Sequence, residues 1–306
     1  MLTSKNLKGN WGTLLLPVNT DDGIDYDRLS DEIDLLIDAR LDGIYSNGTA
    51  GEFHNQTEVE FNRVQLQLAE KCHRAKMPFQ IGVSHPVPIV TLERIKRAVA
   101  LGPDAFQLIL PDWVTTGEDE QIDFLKRTAA AAGNIPLVLY NPPHAKSVLS
   151  PAALLRISRA VPQLIGIKTG AGDAQWYADM RSCAPDLSVF VPGHFLATGI
   201  KEGVASGAYS NIACLSPRGS QAWWRLMYTD LPVALQLQER IAQFFHKCIT
   251  PYKDAGYSNP ALDKFLAAVG GWGSVGTRLR WPYKWIPEEA VGPARAMAKE
   301  FLPEFF

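Results

Sequence analysis

A lysine at the end of an apolar run is the first candidate for chemistry. Lys168 ends the run Leu164–Lys168, and glycine-rich chain follows it. A short, nearly continuous apolar run bounded by turn residues predicts a buried strand. Burial lowers the pKa of a lysine because it disfavours the ammonium form, and the resulting amine can attack a carbonyl. The alternative is a lysine whose stem lies along the strand end while its charge reaches solvent.

Polar and glycine residues also occur at the ends of five other predicted strands. In a closed parallel barrel the carboxyl ends of all strands meet at one face, and catalytic side chains gather there. We therefore expect these residues to share a site with Lys168. They are Gly48, Thr49 and Ala50 after strand two, Trp113 after strand four, Tyr140 and His144 at the end of strand five, Gly193 and His194 after strand seven, and Tyr209 in strand eight.

The elements that must position these residues alternate along the first 228 residues. Each of eight strand-like runs is followed by a stretch with helical periodicity; in the first, Leu29, Ile33 and Leu36 fall on one face. This alternation predicts an α/β fold of the (β/α)8 TIM barrel type. An open doubly wound sheet is the competing topology, but it usually carries a glycine-rich fingerprint after its first strand, and the chain after Val18 has none. The predicted strands are Trp11–Val18, Gly43–Asn47, Pro78–Val83, Ala105–Leu110, Pro136–Tyr140, Leu164–Lys168, Leu187–Val191 and Gly207–Ala213.

The helical stretches continue after the strand pattern stops. Residues 1–228 are predicted to form the barrel domain, and residues 229–306 a C-terminal helical extension with helices at Leu231–Thr250, Asn259–Val269 and Glu288–Phe301. The barrel helices are predicted at Tyr26–Ala39, Glu58–Ala75, Ile89–Ala100, Asp119–Ala132, Pro151–Ala160, Ala174–Ser182, Leu196–Ser206 and Pro217–Tyr228.

Composition and charge disfavour several classes of function. A net charge of -2 over 306 residues gives no electrostatic reason to expect nucleic acid or an anionic membrane as a partner. The amino-terminal residues lack the apolar core of a signal peptide, and no apolar run is long enough to span a membrane. Four cysteines at distant positions, without a CxxC pair, indicate reduced thiols, so we expect a cytoplasmic protein. The six histidines show neither HxH nor HExxH spacing, so the sequence predicts no metal site and no cofactor.

Three short segments carry a family resemblance. Gly48–Glu52 (GTAGE) resembles a GTTGE loop, Tyr140–Pro143 (YNPP) a YNxP segment, and Gly166–Asp173 (GIKTGAGD) a GIKxxxGD segment. Each motif is weak by itself, but three in this order on predicted strands two, five and six are specific. The chain is similar to the dihydrodipicolinate synthase / N-acetylneuraminate lyase family of class I aldolases and dehydratases, and the similarity covers nearly its whole length.

The resemblance implies a Schiff-base mechanism on pyruvate or another 2-keto acid. Lys168 would form the imine with the keto carbon, and Tyr140 would transfer protons beside it. Gly48, Thr49 and Ala50 would bind the substrate carboxylate through backbone N–H groups and the Thr49 hydroxyl. Taken singly, Tyr140 could be an ordinary core tyrosine and Thr49 a helix cap.

Departures from the family pattern bear on the second substrate. The synthase has a threonine where this chain has Ala50, a proton-relaying tyrosine where it has Trp113, and a carboxylate-binding arginine where it has Ala145. An indole N–H can donate a hydrogen bond but cannot accept and pass on a proton. The sialic acid lyase has acidic residues after strand seven, where this chain has His194 and Phe195. The sequence therefore predicts a 2-keto-acid lyase or dehydratase that differs from both enzymes.

The predicted second-substrate pocket is aromatic. Trp113, His144, His194, Phe195 and Tyr209 are expected to line it, which favours an aromatic or apolar aldehyde fragment over a polyol. Two alternatives stay open: a synthase-like condensation of pyruvate with an aldehyde, and a keto-acid-binding protein with weakened catalysis. By resemblance alone we also expect a homotetramer assembled from two dimers.

Overall fold

The computed structural model describes residues 1 to 306 and contains a closed barrel of eight parallel strands. Neighbouring strands pair in chain order, and the last strand closes the barrel on the first through Gly9↔Gly207 and Trp11↔Tyr209. The predicted TIM barrel is confirmed. The strands are β1 Gly9–Thr13, β2 Gly43–Ser46, β3 Phe79–Gly82, β4 Ala105–Ile109, β5 Leu137–Asn141, β6 Leu164–Thr169, β7 Ser188–Phe190 and β8 Ala205–Tyr209.

Amphipathic helices pack around the barrel. In the first helix the Asp25 side chain accepts from the Arg28 N–H as an N-cap, and Leu29, Ile33 and Leu36 are buried against the strands. The barrel helices are α1 Tyr26–Asp38, α2 Glu58–Ala75, α3 Pro88–Ala98, α4 Glu118–Ala132, α5 Pro151–Ala160, α6 Ala174–Met180, α7 Leu196–Lys201, α8 Asn211–Leu215 and α9 Pro217–Thr229.

Two predicted boundaries at the end of the barrel are wrong. The predicted strand Gly207–Ala213 ends at Tyr209, because the Ser210 hydroxyl accepts from the Ala213 N–H and caps a short helix, α8. The predicted helix Leu196–Ser206 ends at Lys201, since the chain turns through Gly203 at φ +67 before β8 begins. Both corrections concern the end of a helix or strand, and that end is set by local capping interactions and not by the hydrophobic pattern.

The first predicted strand is also too long. It ends at Thr13 instead of Val18, because the Leu15 N–H donates to the Glu32 carboxylate at 2.8 Å and not to a neighbouring strand. Glu32 is fully buried in α1, and nothing in the local pattern indicates that its polar side chain ends a strand.

The C-terminal extension packs directly on the barrel. One hydrophobic core includes Leu14 of the barrel and Phe305 of the extension, and the Trp223 indole donates to the Ala234 carbonyl at 3.0 Å. No helix is long and apolar enough to cross a membrane. The extension contains α10 Leu231–Cys248, α11 Thr250–Asp254, α12 Asn259–Gly270 and α13 Val291–Phe301.

Candidate active site

The carboxyl ends of β5 and β6 bring Tyr140 and Lys168 together. The two residues are partners in the parallel register, and the Lys168 Nζ lies 4.3 Å from the centre of the Tyr140 ring. Burial raises the pKa of Tyr140, while the Lys168 charge and a hydrogen bond with Thr49 act in the opposite direction. At neutral pH the phenol therefore keeps its proton and can donate it.

Tyr45 belongs to the same group of side chains, and the sequence analysis missed it. Its Oη accepts a hydrogen bond from the Lys168 Nζ at 2.9 Å, and its ring centre lies 4.8 Å from that nitrogen. The residue is 1% exposed, and burial raises the pKa of its phenol, so the hydroxyl stays neutral. The lysine amine is thus held between phenol rings instead of extending along the strand end to outer solvent. Within an apolar strand a tyrosine resembles any core residue, and only the inward-facing positions of β2, β5 and β6 read together could have identified it.

The loop after β2 forms a turn with free backbone donors. Gly48 leaves room for Tyr45, since a Cβ at this position would lie 2.6 Å from the tyrosine ring. The Glu52 N–H donates to the Thr49 carbonyl at 3.0 Å and closes the turn, whereas the N–H groups of Gly48, Thr49 and Ala50 donate to no backbone carbonyl. Successive unpaired N–H groups in a tight turn are a suitable binding site for a carboxylate.

A buried ion pair fixes this loop to the C-terminal extension. Glu52 Oε1 and Lys264 Nζ lie 2.5 Å apart, with side chains 1% and 0% exposed. Lys264, on α12, also donates to the Arg278 carbonyl at 2.7 Å. Glu52 has a left-handed backbone, φ +52, which costs a non-glycine residue roughly 1 kcal/mol and persists only where its surroundings hold it. The buried ion pair therefore joins the loop directly to α12.

A cavity of about 750 Å³ opens beside Tyr140. This volume lies in the usual range for small-molecule sites. Thr49 belongs to its wall; Lys168 does not, although its Nζ lies against the Tyr140 ring that does. The C-terminal extension contributes part of the wall through Tyr257, Asn259 and its neighbours. The aromatic and histidine side chains around the cavity are Phe53, His54, His85, Trp113, Tyr140, His144, Tyr257 and Tyr283.

Trp113 lies on the exposed side of the cavity wall. This residue is 82% exposed, and Lys146 donates from Nζ to its carbonyl at 2.7 Å while lying 4.9 Å from the ring centre. Ala145 and His144 line the same wall. Lys146, next to Ala145, thus contacts both the main chain and the ring of Trp113.

The three residues that follow β7 and its turn lie outside the cavity wall. His194 pairs through Nδ1 with the Asn211 amide at 2.8 Å and stacks on Phe245 with ring centres 5.1 Å apart. Burial lowers its pKa to about 4, so the ring is neutral. Gly193, His194 and Phe195 do not line the cavity, contrary to the expectation that Gly193 and His194 share a site with Lys168 and that His194 and Phe195 line its second-substrate pocket.

Tyr209 points into the barrel below the lysine. Its hydroxyl donates to Gln80 at 2.7 Å, its ring stacks on Phe190, and its ring centre lies 5.6 Å from the Lys168 Nζ. It approaches the amine but, contrary to expectation, does not line the cavity. The structure contains no group of three or more histidine, cysteine, aspartate or glutamate side chains that could hold a metal ion.

Comparison with known proteins places the chain in a family. A model of the dihydrodipicolinate synthetase family matches residues 6–299. A 4-hydroxy-tetrahydrodipicolinate synthase from Neisseria meningitidis is 24% identical over 302 residues, covering 96% of this chain and 98% of the relative. The synthase from Thermomicrobium roseum is 30% identical over 237 residues, 76% of each chain.

Solved structures share the fold. A prophage protein of the dihydrodipicolinic acid synthase family from E. coli K12, in complex with pyruvate, superposes with a TM-score of 0.84 at 21% identity, covering 97% of this chain and 99% of the other. A catalytic lysine mutant of the sialic acid aldolase from Ruminococcus gnavus gives 0.85 at 18% identity, covering all of both chains. Because the family model matches nearly the whole chain, the protein belongs to the dihydrodipicolinate synthetase family.

Proposed function

We propose that the protein is a class I lyase or synthase that acts on pyruvate or another 2-keto acid through a Schiff base on Lys168. The observation that carries this proposal is the position of the lysine amine, 2.9 Å from the Tyr45 hydroxyl and 4.3 Å from the Tyr140 ring centre. The family contains synthases and lyases, and the E. coli K12 relative was solved with pyruvate. An amine held among phenols at the carboxyl end of a barrel strand suits carbonyl chemistry.

The proposed chemistry begins at the keto carbon. The Lys168 amine attacks C2 of the keto acid, and loss of water leaves a protonated imine. The imine withdraws electrons from the neighbouring carbon, so a bond at that carbon can break or form. Tyr140 supplies and removes protons there, since its hydroxyl is protonated at neutral pH and a nearby cationic imine favours its ionisation.

The substrate carboxylate is proposed to bind the loop after β2. The free N–H groups of Gly48, Thr49 and Ala50 and the Thr49 hydroxyl would surround it. Thr49 and Tyr140 both lie on the cavity wall. The carboxylate would thereby be fixed one side chain away from the proposed proton-transfer group.

The second substrate is proposed to be an aromatic or apolar aldehyde, or the equivalent fragment of a longer keto acid. Phe53, Trp113, Tyr257 and Tyr283 give the cavity broad ring faces. Ala145 leaves space where the synthase has an arginine. Bond cleavage, dehydration and condensation would all proceed through the same imine on Lys168, and the residues of this wall suit each of the three reactions.

The proposed assembly is a homotetramer. Trp113, on the cavity wall, and its neighbour Val114 are 82% and 72% exposed, so they offer apolar surface for a contact between subunits. Sedimentation velocity should give a tetramer at micromolar concentration, and a pure monomer would contradict the proposal.

The test of function is turnover. A panel of aromatic, aliphatic and hydroxylated 2-keto acids should be followed for pyruvate release, and matched aldehydes with pyruvate for condensation. We expect activity with aromatic members and none with Lys168→Ala. A Lys168→Ala variant with full activity would exclude the Schiff-base mechanism, and activity restricted to polyols would exclude the proposed second substrate.

A further inference from the structure

The amine of Lys168 lies among three tyrosine rings that come from three different strands. Its Nζ is 4.3 Å from the ring centre of Tyr140 on β5, 4.8 Å from that of Tyr45 on β2 and 5.6 Å from that of Tyr209 on β8. A cation within about 6 Å of the centre of an aromatic ring is attracted by the negative charge of the ring face. We call these three side chains the tyrosine cage.

Contacts inside the barrel hold the cage in place. Tyr45 and Tyr209 meet edge to face, with ring centres 4.7 Å apart. Tyr209 also stacks on Phe190, with ring centres 4.5 Å apart, and donates from its hydroxyl to Gln80 at 2.7 Å. Phe190 is the partner of Lys168 in the register between β6 and β7. Tyr45 and Tyr209 are 1% and 5% exposed, so their rings have little room to turn away from the amine.

The lysine has no carboxylate partner. No carboxylate oxygen lies within 4.0 Å of the Lys168 Nζ, and the hydrogen bond that this nitrogen donates goes to the Tyr45 hydroxyl at 2.9 Å. Burial raises the pKa of Asp263, on α12, to about 7 and that of Cys214, on α8, well above its usual value, and the Lys168 charge acts in the opposite direction on both. The direct contacts of the lysine charge are therefore phenol rings and a phenol oxygen.

The charge on this nitrogen decides how well an imine serves the proposed reaction. A protonated imine withdraws electrons from the neighbouring carbon, whereas a neutral imine does so far less. Removal from water disfavours the cation, so a buried imine without any compensating group loses its proton more readily. Attraction to a ring face opposes this loss, and it is stronger where water is excluded.

We propose that the tyrosine cage stabilises the positive charge of the imine on Lys168 and so takes the place of a carboxylate counter-ion. Tyr45 acts through its hydroxyl oxygen as well as its ring, and Tyr140 combines its ring with the proton transfer proposed for it. Tyr209 acts through its ring alone, since its hydroxyl is bonded to Gln80. The proposal rests on the proposed Schiff-base function, and it gives a part in the chemistry to Tyr209, which does not line the cavity.

The experiment compares phenylalanine with leucine at the same position. Phenylalanine keeps a ring face and leucine removes it, so the difference between the two variants separates the ring from the hydroxyl. Protein and saturating pyruvate are mixed with cyanoborohydride, a reductant that traps the cationic imine and spares the neutral one. The rate at which the intact protein gains mass is then measured over a pH series. This rate falls above the pH at which the nitrogen loses its positive charge.

We expect the fall to occur at lower pH in each leucine variant than in its phenylalanine partner, because the cation has lost a ring. The shift should follow the distance between ring and nitrogen: about one pH unit between Tyr140→Phe and Tyr140→Leu, and about half a unit between Tyr209→Phe and Tyr209→Leu. Asp263 is the same in both members of each pair, so its own titration cancels.

Two further comparisons separate the ring from packing. Tyr209→Met fills more of the space of the ring than leucine does, and it should show the same shift with less disturbance of the fold. Tyr177 is 4% exposed on α6, so Tyr177→Phe and Tyr177→Leu form the control pair, with equal pH dependence expected. A shift in this pair as large as in the Tyr209 pair would be a general effect of lost packing and overturns the proposal.

The remaining outcomes distinguish the cage from the Schiff base itself. Equal pH dependence of the phenylalanine and leucine variants at Tyr140 and at Tyr209, with adducts still formed, overturns the cage and leaves the Schiff base standing. Absence of any adduct in the wild type overturns the Schiff-base function and this proposal together.

Discussion

Replacing Lys264 by methionine tests whether the buried ion pair holds the proposed carboxylate loop. Both members are essentially fully buried, so Lys264→Met leaves the Glu52 charge without a partner in a region that water does not reach. Breaking such a pair from one side costs about 3–5 kcal/mol. For 306 residues, an unfolding entropy of about 2.1 cal/mol/K per residue converts about 4 kcal/mol into a fall of about 6 °C in melting temperature.

The assay is a double-mutant cycle in urea. Glu52→Gln alone should also destabilise, but Glu52→Gln/Lys264→Met should cost less than the sum of the two by about 2 kcal/mol, since no buried charge is left. Arg156→Met breaks an exposed ion pair with Glu118 and serves as the control, with little change in melting temperature expected. Additive single effects, or a loss below about 1 kcal/mol for Lys264→Met, would refute the reasoning.

Three further predictions concern Tyr45, Gly48 and Asp263. Tyr45→Phe removes the hydroxyl that accepts from the Lys168 Nζ at 2.9 Å, so kcat/KM for pyruvate release should fall about tenfold; an unchanged value would mean that this hydrogen bond does not position the amine. Gly48→Ala places a Cβ 2.6 Å from the Tyr45 ring, so the displaced loop should raise the KM for pyruvate about tenfold; an unchanged KM in steady-state assays would show that the loop tolerates the methyl group. Burial raises the pKa of the Asp263 carboxyl, on α12, from 3.8 to about 7, so the folded state binds more protons than the unfolded chain and stability falls as pH rises through this window. Asp263→Asn should lack this fall, gaining roughly 2 kcal/mol over wild type between pH 4 and pH 8 in urea titrations, and parallel curves for the two proteins would contradict the titration.

Hydrophobic pattern was enough to predict the barrel. Continuous apolar runs such as Leu164–Lys168 alternate with helical stretches, and eight repeats of that unit leave few other architectures. The hydrophobic pattern did not predict where two elements end, at Ser210 and Gly203. The first end depends on a side-chain hydrogen bond and the second on a positive φ, and neither changes the spacing of apolar residues.

Lys168 and Tyr140 could be paired from sequence because both end a predicted strand and the strands are neighbours. Tyr45 could not be added to this pair, since it lies inside an apolar strand and not at its end. His194 follows a strand as predicted, but the turn after β7 directs its ring onto Phe245. Position after a strand sets the height of a residue in the barrel and leaves its side-chain direction open.

The central claim, that Lys168 is the residue that binds the keto acid, is tested most directly by reductive trapping and peptide mapping. The protein is incubated with pyruvate and borohydride, and its intact mass is measured. The protein is then digested, and the peptide that carries the added mass is identified. The account predicts a mass increase equal to pyruvate less water plus two hydrogens, located on the peptide that contains Lys168 and absent from Lys168→Ala. An unchanged mass, or an adduct that maps to another lysine, would contradict it.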